Sequence, residues 1–496
     1  RLRRGAPVSG TLPTVIVFGY LLVALVLGVL AGRVGRGDVN DYVAGERAFG
    51  PVVMYFVMGA TIFSAYALLG TPQRVVEKGS DAFYIIAYGA VGFVPMFFFG
   101  ARVRRIGARL GFVTQAELIG ARFESPLVTG LMGAATVVAF VPYLVIQFKG
   151  AGVVMHAVTG WSPVVGAAVV YSVVVAYVVA GGVRGVAWTN VLQGASMLVV
   201  VWWLGLWIPE RLFGGVGPMF DRIVAERPDA LVLPGPGPTS PAQYSAEVLV
   251  SVLGFSMWPQ VFMKCFTAKS ARLVQLSAVL YPTFLFFLVP LLFLGYAALL
   301  AGGPHDDSVL LWIVARPELG DTTLLVAVVA FAVLAASMST GDALLHAGAS
   351  IAVRDVLVGG LRLRLSDRLQ TAIMRGLVVA LGLSVLAVFE RLGSTSIVDL
   401  LLLAYAVPIQ FLPLTLAALY WPRANRVGAI AGLACGLGTC VLLFVVKRAA
   451  PGMYDVLNPA DLQIGVIGGV VHGVALVLGS LARPPHSREH LQRFGK

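Results

Sequence analysis

Charge is scarce in this sequence. Only 12% of its 496 residues are Asp, Glu, Lys or Arg, whereas 58% are apolar. Soluble domains carry about 25% charged residues. Cysteine is scarcer still, with 3 in the chain, too few for a disulfide framework. Cys265 ends an apolar segment, and Cys435 and Cys440 stand five apart in another, facing different sides; small apolar side chains are a sufficient reading of all three. There is no HExxH and no Asp-rich motif. A membrane-embedded enzyme would need paired carboxylates or metal-ligand clusters, so an enzyme is not expected, and neither is a transition-metal site. Solenoid repeats, a low-complexity tail and a separate soluble domain are missing too. No signalling domain follows residue 483, which disfavours a solute sensor.

What is present is a succession of apolar runs of the roughly 20 residues that cross a hydrocarbon core. They are apolar all round, not alternating as barrel strands are. The fold class expected is therefore an all-α polytopic membrane protein. Thirteen spans are expected, near residues 12–31, 50–70, 82–101, 126–148, 162–181, 188–209, 243–263, 275–301, 322–350, 372–390, 394–420, 427–446 and 463–482. No cleavable signal peptide precedes the first run, which reads as a true helix. The net charge of +12 does not imply nucleic acid, because the basic residues are dispersed among short loops. With the N-terminus outside, the 36 Lys and Arg divide 23 inside to 13 outside, the bias of the positive-inside rule; RLRR at residues 1–4 dissents. The expected location is the cell membrane, multi-pass, with the C-terminus cytoplasmic and the lipid bilayer as surroundings.

Three spans are irregular. The second, PVVMYFVMGATIFSAYALLGTP, has Gly59, Ala60, Thr61 and Ser64 near its middle. The seventh, VLVSVLGFSMWPQVFMK, has Gly254 and Pro259 inside, and proline kinks or breaks a helix. Broken backbone at membrane depth survives where it lines a cavity or ion site, and paired interruptions point to an inverted-repeat transporter. Close packing of small residues is the plainer alternative. The ninth span contains AASMSTGDALLHAGAS, residues 335–350. Its Ala336 carbonyl and the Ser339 and Thr340 hydroxyls share a face, since offsets of three and four are neighbours. They offer three oxygens to a small hard cation, and an unwound second span would add the carbonyls of Ala60 and Phe63. The alternative is an ordinary back-bond from Thr340 to the Ala336 carbonyl. Asp342 and His346 stand four apart and can touch, either as a polar pair or as an ion exit relay.

Five stretches carry a family resemblance. DYVAGERAFG (41–50), GGVRGVAWTNVLQGASM (181–197), WPQVFMKCFTAKS (258–270), AASMSTGDALL (335–345) and AYAVPIQFLPLTLAALYWPRANRVGAIAGLACG (404–436) resemble the sodium:solute symporters, nearest in look to the branch holding proline, pantothenate and monocarboxylate carriers. The resemblance covers nearly the whole chain. It implies about 13 transmembrane helices around a LeuT-type core of five plus five inverted helices. The expected division is 1–49 with an extra first helix, 50–211 as first repeat, 212–242 as an outside loop, 243–421 as second repeat and 422–496 as two further helices and a tail. It implies a Na+ site at Ala60, Phe63, Ala336, Ser339 and Thr340, with Na+ as coupling ion and no organic cofactor. Where that branch has Asp, this chain has Ile62; where the family signature has Asp, it has Asn190; and Gln260 replaces a common His. Asn190 joins Asp342 and His346 on the implied ion exit path. The solute is expected between the broken spans, near Tyr66, Tyr143, Gln147, Phe255 and Trp258. Few polar groups line that space, so a small organic acid or amino acid suits it better than a sugar, entering by Na+-coupled symport and alternating access. Proton coupling or uniport on the same fold is the alternative. No nucleic acid and no obligatory protein partner are expected.

Overall fold

The computed structural model describes residues 11–33, 39–236, 239–392 and 397–495. RLRR and the start of the run 394–420 lie outside them. Among the described residues every regular element is helical, and one isolated bridge pairs Phe49 with Ala268. The helices that position the site are α1 (Thr11–Gly32), α2 (Pro51–Ala60), α3 (Thr71–Lys78), α4 (Pro126–Thr159), α5 (Pro163–Phe213), α6 (Pro241–Phe255) and α7 (Thr323–Ile351). Beyond them α8 (Arg426–Ala449) and α9 (Ile464–Leu481) pack on each other, and a short α10 (Arg488–Gln492) follows.

In runs this apolar, periodicity cannot say where a helix begins. Local chemistry does. α4, α5 and α6 each start at a Ser-Pro pair: Ser125, Ser162 and Ser240 accept a bond from the backbone three residues on, and the proline behind each lacks an N–H to satisfy. α4 and α5 stop at Gly160 (φ 74°) and Gly214 (φ 79°), left-handed positions that glycine takes without strain.

Among the described residues, ten helices are long and apolar enough to cross a membrane, or eleven when one bent pair counts as a span. Thirteen were expected, and the difference lies at the breaks. The runs 162–181 and 188–209 form one 51-residue helix, α5, in which Gly182 (φ 52°, ψ −149°) is the non-helical point. The second expected span is split, and its first half, Pro51–Ala60, is too short to cross alone. The bent pair is α6 with Pro259–Thr267, at 41°.

α7 is the axis of the molecule. Of its most apolar stretch 83% is buried inside the protein, against 28% for α1 and for α9; those two present most of their surface outward. α7 packs chiefly on α4 and α5. A side chain at Gly341 would meet the Tyr171 hydroxyl at 2.3 Å, so α5 approaches it as closely as glycine permits. All three cysteines are free, Cys435 exposed and Cys440 buried, as their spacing implied.

α1 holds on to α5 through the same device. Gly28 and Gly32 form a small-xxx-small pair. A Cβ on Gly32 would stand 2.4 Å from the Gly181 Cα, and one on Gly181 2.4 Å from the Gly28 carbonyl. Gly181→Val is therefore expected to destabilise the purified protein by the roughly 1–3 kcal/mol of overpacking. Gly19→Val, with nothing within 4 Å, is expected to leave the thermal midpoint unchanged. Equal midpoints for the two variants would show that this crossing is not tight.

Candidate functional site

α2 ends at Ala60, and the chain runs through an irregular turn, 61–64, before winding again from Tyr66. The freed backbone is satisfied locally and by α4. The Ala65 N–H donates to Gln147 Oε1 at 3.1 Å and the Tyr66 N–H to Ser64 Oγ at 3.2 Å. α4 can reach the break because Gly150 lies against it: a side chain there would meet the Ala65 methyl at 2.4 Å. Gln147 donates its amide to the Tyr143 carbonyl, and its own carbonyl accepts from Ser337 Oγ of α7. The second break, at residues 256–258, carries Trp258, and Pro259 restarts the helix.

α7 presents Ser339 and Thr340 to the first break. Ser339 Oγ lies 2.9 Å from the Ala60 carbonyl oxygen and 3.0 Å from that of Ala336. A hydroxyl has one proton, so it cannot serve both acceptors fully. Thr340 Oγ1 is buried and has no partner. The back-bond expected as the plain alternative, Thr340 to Ala336, is not made. An orphan hydroxyl beside an excess of carbonyl oxygens is a donor set short of one cation, and its all-oxygen character suits a hard one. The structure thus brings Ala60, Ala336 and Ser339 together, with Thr340 next in the chain and Phe63 in the turn that follows Ala60.

The expected exit residues separate. Asp342 and His346 do not bond to each other. Asp342 Oδ2 accepts from Tyr177 at 2.7 Å and Thr189 at 3.2 Å, and Oδ1 is buried without a partner. His346 Nε2 lies 2.8 Å from the Tyr42 carbonyl. The reason is α5: its approach at Gly341 inserts Tyr177 and Thr189, which take the carboxylate. Asn190 reaches the first break instead, donating to Thr61 Oγ1 at 3.2 Å, with Oδ1 unpartnered.

The five expected solute residues also divide. Tyr66 and Phe255 line one cavity with Ile62, Tyr88 and Tyr281; its water-accessible space is about 10 Å³, room for a single water. The rings of Tyr143 and Trp258 lie tilted against each other at 4.8 Å, with Tyr405 edge-on at 5.4 Å from Trp258. Gln147 holds the break, with one amide N–H on the Tyr143 carbonyl and its amide oxygen on the Ala65 N–H.

Three features escaped sequence reasoning. Lys264 counted as a loop charge, yet it is 4% exposed and lines a second cavity with Gln260 and His346. It interacts electrostatically with Asp342. Its position five residues after an in-span proline was the available signal. Arg74 is buried between Asp81 and Glu247 and lies over the ring of Tyr84 at 4.1 Å, whose hydroxyl meets that of Tyr66. Arg184 pairs with Asp41 and Glu46, and Arg47 donates to the carbonyls of Phe266, Gly107 and Phe112. Apart from Asp81, these partners come from distant parts of the chain, so spacing held no trace of them.

The model of the Sodium:solute symporter family matches residues 42–436. The uncharacterised symporter YhjB of Bacillus subtilis (strain 168) is 28% identical over 477 residues, 94% of this chain and 96% of its own. The osmoregulated proline transporter OpuE of the same organism is 26% identical, covering 91% of this chain and 92% of its own. Among solved structures, a substrate-bound, outward-open Na+-coupled sialic acid symporter superposes with a TM-score of 0.81 at 17% identity, over 97% of this chain and 99% of that one, a likeness of fold.

Gln147→Leu is expected to strand the Ala65 N–H in the interior. Leaving a buried donor unmade costs about 1–3 kcal/mol, to be read as a lower thermal midpoint of the purified protein. An unchanged midpoint would mean that the break does not depend on Gln147.

Proposed function

The chain belongs to the sodium:solute symporter family, and from that premise we propose that it carries a small carboxylate-bearing solute, an organic acid or amino acid, into the cell together with Na+. It is a multi-pass membrane transporter and not an enzyme. In this reading Na+ is cargo, held by the Ala60 and Phe63 carbonyls, the Ala336 carbonyl and the Ser339 and Thr340 hydroxyls. One observation carries it: Ser339 Oγ bridges the carbonyls of Ala60 and Ala336 while Thr340 Oγ1 beside it has no partner.

Residues 50–211 and 243–421 act as the two repeats, within 1–49, the loop 212–242 and the accessory 422–496. The buried Arg74 pairs and the Arg184 pairs lie on opposite sides of the first break and support a gate at each end. Opening one while the other holds is alternating access. With the N-terminus outside, Arg74 faces outward and Arg184 the cytoplasm of a cell-membrane protein. The solute sits at Tyr66 and Phe255, in a cavity that must widen as a gate opens; Tyr143 and Trp258 form the aromatic wall behind the second break. A carboxylate is supported by the scarcity of polar groups there, by the adjacent cation, and by relatives named for proline and sialic acid, both carboxylic acids.

A second reading, proton coupling, rests on Asp342. Its Oδ1 is buried and unpartnered, and Thr189 has one proton for three oxygens, Asp342 Oδ2 and the Gly185 and Val186 carbonyls. A proton on the carboxylate would meet that deficit. Asn190 in place of Asp removes a second carboxylate from the ion's path and adds weight to it.

Thermal stability in Na+ against choline, at equal ionic strength, decides between them. A ligand that binds only the folded protein stabilises it by RT ln(1 + [L]/Kd), about 2.7 kcal/mol at a hundredfold excess over Kd. The expected result is a Na+-specific rise that Ser339→Ala with Thr340→Ala abolishes. If Na+ does nothing, and Asp342→Asn removes the pH dependence of solute uptake into liposomes, the proton-coupled reading replaces this one.

A further inference from the structure

Away from the transport path, two histidines of the C-terminal segment converge on one glutamate. Glu124 lies in the short turn between the helix Gln115–Arg122 and α4, in a left-handed conformation (φ 49°). Its two carboxylate oxygens face different rings. Oε2 lies 2.9 Å from His486 Nδ1, and Oε1 lies 3.6 Å from His490 Nδ1. One ligand-capable atom from each residue falls within 4.8 Å of the other two. α10 presents His490 because Ser487 caps its first turn, accepting from the His490 N–H at 3.2 Å.

The tautomers make the case. His490 Nε2 lies 2.9 Å from the Arg122 carbonyl oxygen. A carbonyl only accepts, so Nε2 bears the proton, and Nδ1 of the neutral ring turns a lone pair toward an anionic oxygen. Two acceptors face to face repel unless a cation sits between them. A ligating histidine whose far nitrogen donates to a backbone carbonyl is the usual outer-shell arrangement of a metal site. Metal bonds of about 2.0–2.1 Å in tetrahedral geometry put ligand atoms about 3.3 Å apart; here the carboxylate meets the two rings at 2.9 and 3.6 Å through different oxygens, Oε2 and Oε1. His486 Nε2 is buried without a partner.

We propose that Glu124, His486 and His490 form a binding site for a divalent transition-metal ion of the Zn2+ class, with a fourth position left to water, which clamps the C-terminal segment onto the turn before α4. Imidazole and carboxylate together suit Zn2+ better than the hard Na+. The turn is mechanically connected. Arg122, fully buried, donates to the carbonyls of Trp421, Pro422 and Ala424, and Arg102 donates to those of Phe494 and Gly495. A clamp here therefore ties the start of α4, the helix that holds the first break, to the segment ahead of α8. The absence of a metal motif in the sequence does not bear on this site, because its ligands lie 362 residues apart.

The test uses the full chain in detergent, with any affinity tag removed, and Zn2+ or Co2+ alone as probe. After buffer exchange we expect one Zn2+ per chain, and with Co2+ the intense visible band of tetrahedral coordination. Tryptic cleavage at Arg488 should slow severalfold in Zn2+. His486→Ala with His490→Ala should abolish retention and the band. Glu124→Gln keeps the shape of the turn and should weaken binding by at least about tenfold, on the scale of affinity losses at metal sites. None of these residues touches the proposed Na+ site, so the Na+-dependent rise in stability serves as the check that each variant is folded. If Zn2+ and Co2+ are not retained, the gap is filled by a proton and the cluster is an imidazolium–carboxylate pair, which overturns the proposal. Retention that survives the double substitution overturns it equally.

Discussion

Everything at the centre of this protein depends on a helix that stops inside an apolar interior. Interrupting α2 at Ala60 frees backbone groups where water cannot reach them, and each must find a partner. Gln147 supplies one, by accepting from Ala65. The same residue accepts from Ser337 through its main chain. One glutamine thus fixes the break, and α7 registers against the helix that carries it. That register is what sets Ser339 opposite the Ala60 carbonyl. The proposed ion site therefore depends on how the break is satisfied, and a shift of one residue in α7 would take Ser339 away from the Ala60 carbonyl.

The buried polar groups around this point are arranged in deficit. Ser339 has two acceptors and one proton, Thr340 has none, Asp342 has an oxygen to spare, and Asn190 Oδ1 is unmatched. In a rigid domain such groups would be a cost of a few kcal/mol each with no return. In a carrier they are the driving force for taking up a cation or a proton. The same logic applies to the proposed gates. Arg74 between Asp81 and Glu247, and Arg184 between Asp41 and Glu46, are charge pairs, which water can replace when an end opens. A sealed apolar contact would have no such substitute.

Much of the fold was legible in the sequence. Apolar runs of spanning length established a polytopic helical protein. The small residues near Ala60 and the proline at 259 marked the breaks. The count of spans was less legible, because a kink at a single glycine, Gly182, leaves hydropathy unchanged whether the chain counts as one helix or two. For the site, AASMST was readable because offsets of three and four place its oxygens on one face whatever surrounds them. Gln147 was not: its role depends on α4 passing within 2.4 Å of Ala65 at a glycine, a fact about two helices. Asp342 and His346 were paired wrongly for the same reason. Intrahelical spacing said they could touch, and α5 supplied better donors.

The sequence by itself determined whatever obeys a local rule. Length and apolarity decide that a segment spans, capping chemistry decides where it begins, and helical spacing decides which groups share a face. Only the tertiary structure decided who meets whom across helices. It turned Ser339 onto Ala60, buried Lys264, sealed Arg74 between two carboxylates, and brought His486 and His490 to Glu124. Those contacts are set by how closely backbones can approach, and in an interior where every polar group must find a partner, the approach of one helix rearranges the bonds of the next.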